Sequence, residues 1–466
     1  LTRARRAARL AAPGLFDEDL MTPTLTPRLA ASAIAAAFLI LAACGERAQE
    51  APPASAAPAP LQTEQTVQES TRGFDAAGLA ALDRTLAELA ASQDRSGFVA
   101  VLARDGAVRH VSEAGYADIE AGRPMTADTV VRVASMTKPV TAAAVMMLIE
   151  DGAISLSDPV ADYIPAFAGA RAATRYQHDE NYEIPTEPLA RPITIEDLLT
   201  HTSGIGYIFD YQTHLGALYI GNNIYEGDAP MDARMETLAG LPLYFQPGET
   251  WYYSFSNDVL GHVISVAAGQ SLEAFFQARI FGPLGMTSTT FFPQGELLER
   301  LAALYTHDET GALARVPPED DIPVPAPMEA GGASLFSTAN DYMRFALMLA
   351  NGGELDGVRV LTENSVAAMT APHVGLDRMP AHMAGANLGF GYSLGVTVDG
   401  PGDPLGSNPG DFGWGGYFDT DFLVSPATGV TALIIAQENP GPGTADTIGA
   451  REIFRQQLLL AMPRES

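Results

Sequence analysis

Arg132-Val133-Ala134-Ser135-Met136-Thr137-Lys138-Pro139 holds the single lysine of a 466-residue chain, three positions after a serine. The other 26 fixed basic charges are arginines. A guanidinium cannot release its proton near neutral pH, whereas a partly buried amine can, and can then accept one from a hydroxyl. The exception therefore has a chemical reading. Ser-x-x-Lys is short and arises by chance, yet a solitary lysine finds serine at that offset only about one time in fifteen at ordinary serine usage. Pro139 is tolerated only in the first turn of a helix, and the apolar run from Val140 to Ile149, closing on Glu150-Asp151-Gly152, reads as that helix and its stop. Ser135 then stands at a helix N-terminus. There its amide lacks an intrahelical partner, negative charge is favoured, and Lys138 shares its face.

Upstream, Met21 and Arg28 precede the uncharged run Leu29 to Ala43, which is too short to span a bilayer and has the size of a signal-peptide apolar region. It ends in Leu41-Ala42-Ala43-Cys44, which resembles the bacterial lipoprotein signal; that resemblance implies cleavage before Cys44 and lipidation of its thiol. In a Gram-negative host, the same resemblance implies, from Gly45 after the cysteine, sorting to the periplasmic side of the outer membrane. Residues 1–43 are thus expected to be an upstream segment and lipoprotein signal peptide, and residues 44–72, rich in Ala, Pro, Glu and Gln, a disordered tether. Residues 73–466 form the folded part, long enough for two subdomains. Cys44 is the only cysteine, which excludes a disulfide within the chain and a cysteine zinc site. A formal charge of −29 repels phosphate backbones and anionic headgroups, so nucleic acid is not an expected partner.

Gly97 to Arg104 and Ala107 to Gly115 flank Asp105-Gly106, a hairpin signal. Phe422 to Pro426 and Val430 to Gln437 flank Ala427-Thr428-Gly429, before an amphipathic helix pattern over Thr447 to Met462. Strands come from both ends of the domain, while residues 138–350 read as helices and long loops. The expected class is α+β: a central antiparallel sheet flanked by helices, with an inserted, mostly helical subdomain.

Two further segments belong beside Ser135. Tyr253 follows the Pro247-Gly248 turn and precedes an apolar helix pattern. Gly413-Trp414-Gly415-Gly416-Tyr417 precedes the closing hairpin, where glycines let a strand edge approach a ligand. With Ser-x-x-Lys, these motifs resemble the serine β-lactamase and penicillin-binding protein superfamily. Thr194 to Gly204, Pro283-Leu284-Gly285-Met286 and Gly331 to Tyr342 look like its class C branch, so that the resemblance covers about residues 75 to 460. Tyr253-Ser254 with Asp258-Val259-Leu260-Gly261, and Trp414-Gly415-Gly416 in place of Lys-Thr-Gly, are most similar to the family VIII carboxylesterases.

That resemblance implies Ser135 as nucleophile, Lys138 and Tyr253 as its proton relay, and the backbone amides of Ser135 and Tyr417 as oxyanion hole. Trp414, Gly415 and Gly416 would line the substrate site, without metal or cofactor, and the partner would be a small-molecule ester. An indole where carboxylate-binding relatives carry lysine removes the counter-charge of an anionic acyl donor and adds a wall for an apolar one. Phe255, where β-lactamases often have an amide, points the same way, and Tyr252 is the alternative to Tyr253 if the register differs by one. Other readings stay open: a D-aminopeptidase, DD-peptidase or weak β-lactamase, or a non-catalytic envelope binding module. Gly391-Tyr392-Ser393-Leu394-Gly395 fits the nucleophile elbow of α/β-hydrolases, but no histidine follows it as that fold's order requires. His201 reads as structural. Tyr207, Phe209, Tyr211, Tyr219 and Tyr225 form either a lid over an acyl pocket or ordinary loop packing.

Palmitate labelling in a bacterial host is expected to depend on Cys44. Cys44→Ser should release the protein while a chain starting near residue 73 stays active, and label that persists in Cys44→Ser would contradict the lipoprotein reading.

Overall fold

The computed structural model describes residues 73–92, 94–317, 328–398, 408–439 and 449–462. The expected leader, Cys44 and the whole of the tether lie outside these residues. Alternation along the first expected strand accounts for the layering. In β1 (Gly97–Arg104), Val99, Val101 and Ala103 face one core while Phe98, Ala100 and Leu102 face a second. Both faces of the sheet must be covered, and the run is therefore apolar throughout. β2 (Ala107–Asp118) returns through Asp105 and Gly106, left-handed at φ 50° and 76°, the hairpin geometry that Asp-Gly favours. β3 (Arg123–Pro124) ends this part of the sheet.

The chain rejoins it much later with β4 (Leu388–Phe390), β5 (Gly395–Thr397), β6 (Phe412–Gly416), β7 (Thr420–Ser425) and β8 (Val430–Ile435). The order is β4-β5-β6-β7-β8-β1-β2-β3, antiparallel throughout. The two expected hairpins thus meet at the β1–β8 pair. β4 and β5 were not anticipated, being three residues each and too short to show a period.

α1 (Ala76–Ala91) falls in a stretch to which the sequence patterns assign no element. The other helices that matter to the site are α2 (Thr137–Glu150), α3 (Ser256–Ala268), α4 (Ala339–Ala350) and α5 (Ala450–Ala461). α1 and α5 cover the outer face of the sheet, where Leu79, Leu82, Leu86, Phe454 and Leu458 bury Phe98, Leu102 and Ile434. α4 lies on the inner face against β1, β7 and β8, and α2 packs against α3 within the part inserted between β3 and β4. α2 is buried continuously from Thr137 to Leu148, as an apolar, alanine-rich helix at the centre of a domain must be. The α+β arrangement with its inserted helical part is the one expected. Among the described residues no single helix is long and apolar enough to cross a membrane.

The elbow-like segment is a turn between β4 and β5. Ser393 does adopt a left-handed φ of 60°, but it is fully buried, and its hydroxyl accepts from Asn257 Nδ2 at 2.8 Å and donates to the Leu199 carbonyl at 3.3 Å. Its oxygen belongs to the scaffold.

α1 and α5 touch through a glycine. Asp75 caps α1 by accepting the Gly78 amide at 2.7 Å, its own amide reaches the Ala461 carbonyl at 2.7 Å, and a Cβ on Gly78 would overlap Leu460 and Ala461 backbone. In a free helix Ala is preferred to Gly by about 1 kcal/mol. Here Gly78→Ala should instead destabilise by about 1–3 kcal/mol in urea unfolding, the usual cost of overpacking. Unchanged or higher stability would show that the two helices do not meet this closely.

Candidate active site

A single 3-10 turn, Ala134–Met136, runs directly into α2, so Ser135 stands at the head of the helix and Pro139 is only its third residue. Ala134 is left-handed at φ 45°, an uncommon conformation for a residue with a Cβ. Neighbouring backbone clamps this turn. Val133 N donates to Leu335 O at 3.1 Å, Leu335 N to Thr137 Oγ1 at 3.2 Å, Thr141 Oγ1 to Gly331 O at 2.7 Å, and Tyr342 OH to Met136 O at 2.8 Å. The segment 331–335 therefore fixes where the first turn of α2 can lie.

Lys138 is fully buried. Its Nζ donates to the Gly332 carbonyl at 2.8 Å and to Ser135 Oγ at 3.3 Å, and it lies 4.5 Å from the ring centroid of Tyr253 and 5.7 Å from that of Tyr207. Tyr253 OH donates to Ser135 Oγ at 2.6 Å. The three side chains named from sequence thus converge on one oxygen. Tyr252, the alternative, stacks on Tyr244 at 4.6 Å, and it is Tyr253 whose hydroxyl meets Ser135.

The Tyr253 ring is packed among other rings. Trp414, on β6, stacks at 5.9 Å, and Phe209 lies nearly parallel to it at 6.4 Å. Tyr207, His201 and Trp251 stand around the same ring at 5.2, 5.1 and 6.2 Å. Gly416 abuts the strand before Ser135, since a Cβ there would overlap the Val133 carbonyl. Tyr417, which follows it, is exposed. Residues alternate across a strand, so Gly415 faces away from Trp414 and Gly416. On that far side stands Arg451, which is paired with Asp419 at 3.3 Å and donates to the Gly416 carbonyl at 3.0 Å.

His201 adjoins the site more closely than a remote structural residue. It is left-handed at φ 55°, and its Nδ1 shares a hydrogen bond with Ser254 Oγ at 2.9 Å. Burial, and then the nearby Lys138 charge, hold it well below the usual imidazole range, so its ring is neutral. Burial also pushes the Tyr207 phenol well above its ordinary value. The aromatic stretch divides between the two readings it allowed. Tyr207 and Tyr219 are buried, whereas Phe209 and Tyr211 are exposed and line a groove of about 550 Å³ with Tyr176, Tyr244 and Tyr252. Sequence patterns missed Gly332, which acts through its carbonyl, and Tyr207; only the density of aromatics around 205–228 hinted at the latter.

The β-lactamase family model matches residues 82–454. Protein Rv1367c of Mycobacterium tuberculosis is 35% identical over 353 residues, 74% of this chain and 86% of its own. Esterase EstB of Burkholderia gladioli is 33% identical over 396 residues, 80% of this chain and 94% of its own. Among solved structures, EstCE1, a hydrolase with promiscuous acyltransferase activity, superposes with a TM-score of 0.65 at 24% identity over 82% of this chain and 98% of that one. With the match running from within α1 to within α5, and with relatives aligned along most of both chains, the chain belongs to the β-lactamase family of serine hydrolases, within its esterase and acyltransferase branch.

Proposed function

We propose that the protein hydrolyses small or medium acyl esters through an acyl-Ser135 intermediate, and that it does so from the bacterial envelope, anchored by lipid on Cys44 at the periplasmic side of the outer membrane. The observation that carries the chemistry is the convergence of Tyr253 OH and Lys138 Nζ on Ser135 Oγ, at 2.6 and 3.3 Å. In this reading Ser135 Oγ attacks the ester carbonyl while its proton passes to the Lys138–Tyr253 couple. The carbonyl oxygen, now an anion, is held by the amides of Ser135 and Tyr417. The couple returns the proton to the departing alkoxide, which leaves as alcohol. Water, or a second alcohol, then repeats the sequence on the acyl-serine and frees the enzyme.

Specificity for esters is supported by Trp414. Its indole stacks on Tyr253, where a carboxylate-binding relative would carry a lysine, and Arg451 faces away on the other side of β6. A neutral acyl group meets an aromatic wall there. The carboxylate of a penicillin or a peptide terminus finds no cation on β6 to pair with. EstB, whose name records esterase activity, supports the same reading.

Ser135→Ala should reduce hydrolysis of p-nitrophenyl esters to background while the thermal unfolding curve stays near wild type; wild-type turnover by that variant would end the mechanism. Lys138→Arg keeps the charge but cannot act as a neutral base, and should cost at least about a hundredfold in kcat. Trp414→Lys should weaken ester hydrolysis and tighten binding of carboxylate-bearing ligands by about 1.5–3 kcal/mol. A wild-type enzyme that turned over a chromogenic cephalosporin as fast as its best ester would favour the β-lactamase reading instead.

A further inference from the structure

Asp258 is a carboxylate without solvent contact, five residues after Tyr253 in the first turn of α3. Its Oδ1 accepts the Gly332 amide proton at 3.0 Å, and its Oδ2 the Tyr225 phenol proton at 3.0 Å. The carbonyl of the same Gly332 accepts from Lys138 Nζ at 2.8 Å. One residue thus stands between a buried carboxylate and a buried amine, its N–H turned to the first and its C=O to the second. Only glycine fits, because a Cβ would overlap Asp258 Oδ2 and lie 2.8 Å from Oδ1. From Tyr225 the chain of bonds continues to Tyr207 at 3.2 Å, whose ring faces Lys138 Nζ. The Tyr253 phenol and the neutral His201 imidazole also lie beside Lys138.

A buried ammonium without a counter-charge is disfavoured in general, and a weakly basic amine takes a hydroxyl proton slowly. The named neighbours of Nζ are a carbonyl, a hydroxyl and two ring faces, all of which favour an ammonium, but none carries the charge that would balance one. We infer that Asp258 is a positioning residue for acyl transfer, a buried counter-charge that acts across Gly332 to keep the Lys138–Tyr253 couple basic enough to accept the Ser135 proton. This deepens the esterase reading and rests on it. Both Asp258 oxygens act as acceptors, from Gly332 N–H and Tyr225 O–H, as those of a carboxylate do; burial pushes the carboxyl up to about 6, opposed by the Lys138 charge and by those bonds. An ionised Asp258 favours the protonated form of the couple. Its removal must therefore let the couple lose its proton at lower pH.

Because Lys138 is the only lysine, the full chain grown on lysine labelled with carbon-13 at Cε gives one resonance, whose shift reports protonation of Nζ. In Asp258→Asn the titration midpoint of that resonance should fall by about one to three units, the usual effect of losing an opposite charge nearby. The ascending limb of kcat/KM against pH for a p-nitrophenyl ester should move in the same direction. A midpoint unchanged from wild type would overturn the inference, as would a loss of rate with no displacement of the limb, which a structural role would produce. Should Asp258→Asn not fold, the wild-type resonance carries the test. It should show a smaller inflection near pH 6 as Asp258 ionises, and a single-step titration would overturn the assignment. Failure of the esterase reading shows separately, as ester turnover that survives in Ser135→Ala.

Discussion

An amine with no exposed surface has to find acceptors inside the protein, and the way Lys138 finds them determines the geometry around it. A buried amine left without partners is too costly to persist, so its N–H groups need an oxygen or an aromatic face. The Gly332 carbonyl, Ser135 Oγ and the ring of Tyr253 provide them. Each brings a separate element to the same point. Gly332 brings the segment before α4, Tyr253 the segment before α3, and Ser135 the head of α2 itself. The bonds that hold residues 331–335 against Thr137 and Thr141 are therefore the framework that aims the amine, not incidental packing.

Ala134 shows where the chain accepts strain to complete this geometry. A left-handed alanine is disfavoured, and it persists only where the surroundings over-determine it. On either side, Val133 is tied to Leu335 and Met136 to Tyr342. The result is a turn that enters α2 abruptly and leaves the Ser135 hydroxyl at the helix head, partly open to solvent, while the residues around it are buried.

What could be read in advance follows from where the information lies. Lys138 was legible because composition isolates it and because Pro139 dates the start of its helix. The hairpins around Asp105-Gly106 and Ala427-Thr428-Gly429 were legible because turn chemistry is local. Tyr253 and Trp414 needed a family pattern, since a tyrosine after a Pro-Gly turn has no chemistry of its own until something is placed against it. The link from Asp258 through Gly332 to Lys138 was not legible. It joins residues 74 and 194 positions apart, through a backbone amide and carbonyl that any residue type possesses. Its one local trace is the glycine, whose missing side chain makes room for the carboxylate. β4 and β5 escaped for a different reason: three-residue strands hold by pairing with their neighbours, and pairing is not written in either strand alone.

The aromatic wall and the basicity of the lysine are aspects of one arrangement. The Tyr253 ring packs against Trp414 and Phe209, and Lys138 Nζ lies over its face. A lysine at position 414 would offer a carboxylate its partner, but it would also place a second ammonium one ring away from the first. Like charges at that range lower each other's affinity for protons. Lys138 would then need more counter-charge than the single carboxylate of Asp258 supplies. With an indole at 414 no such compensation is required, and the low-dielectric surroundings that keep His201 neutral strengthen the pull of Asp258 on Lys138. In the proposed reading one residue choice at 414 both denies an anionic acyl donor its partner and leaves Asp258 as the counter-charge of Lys138.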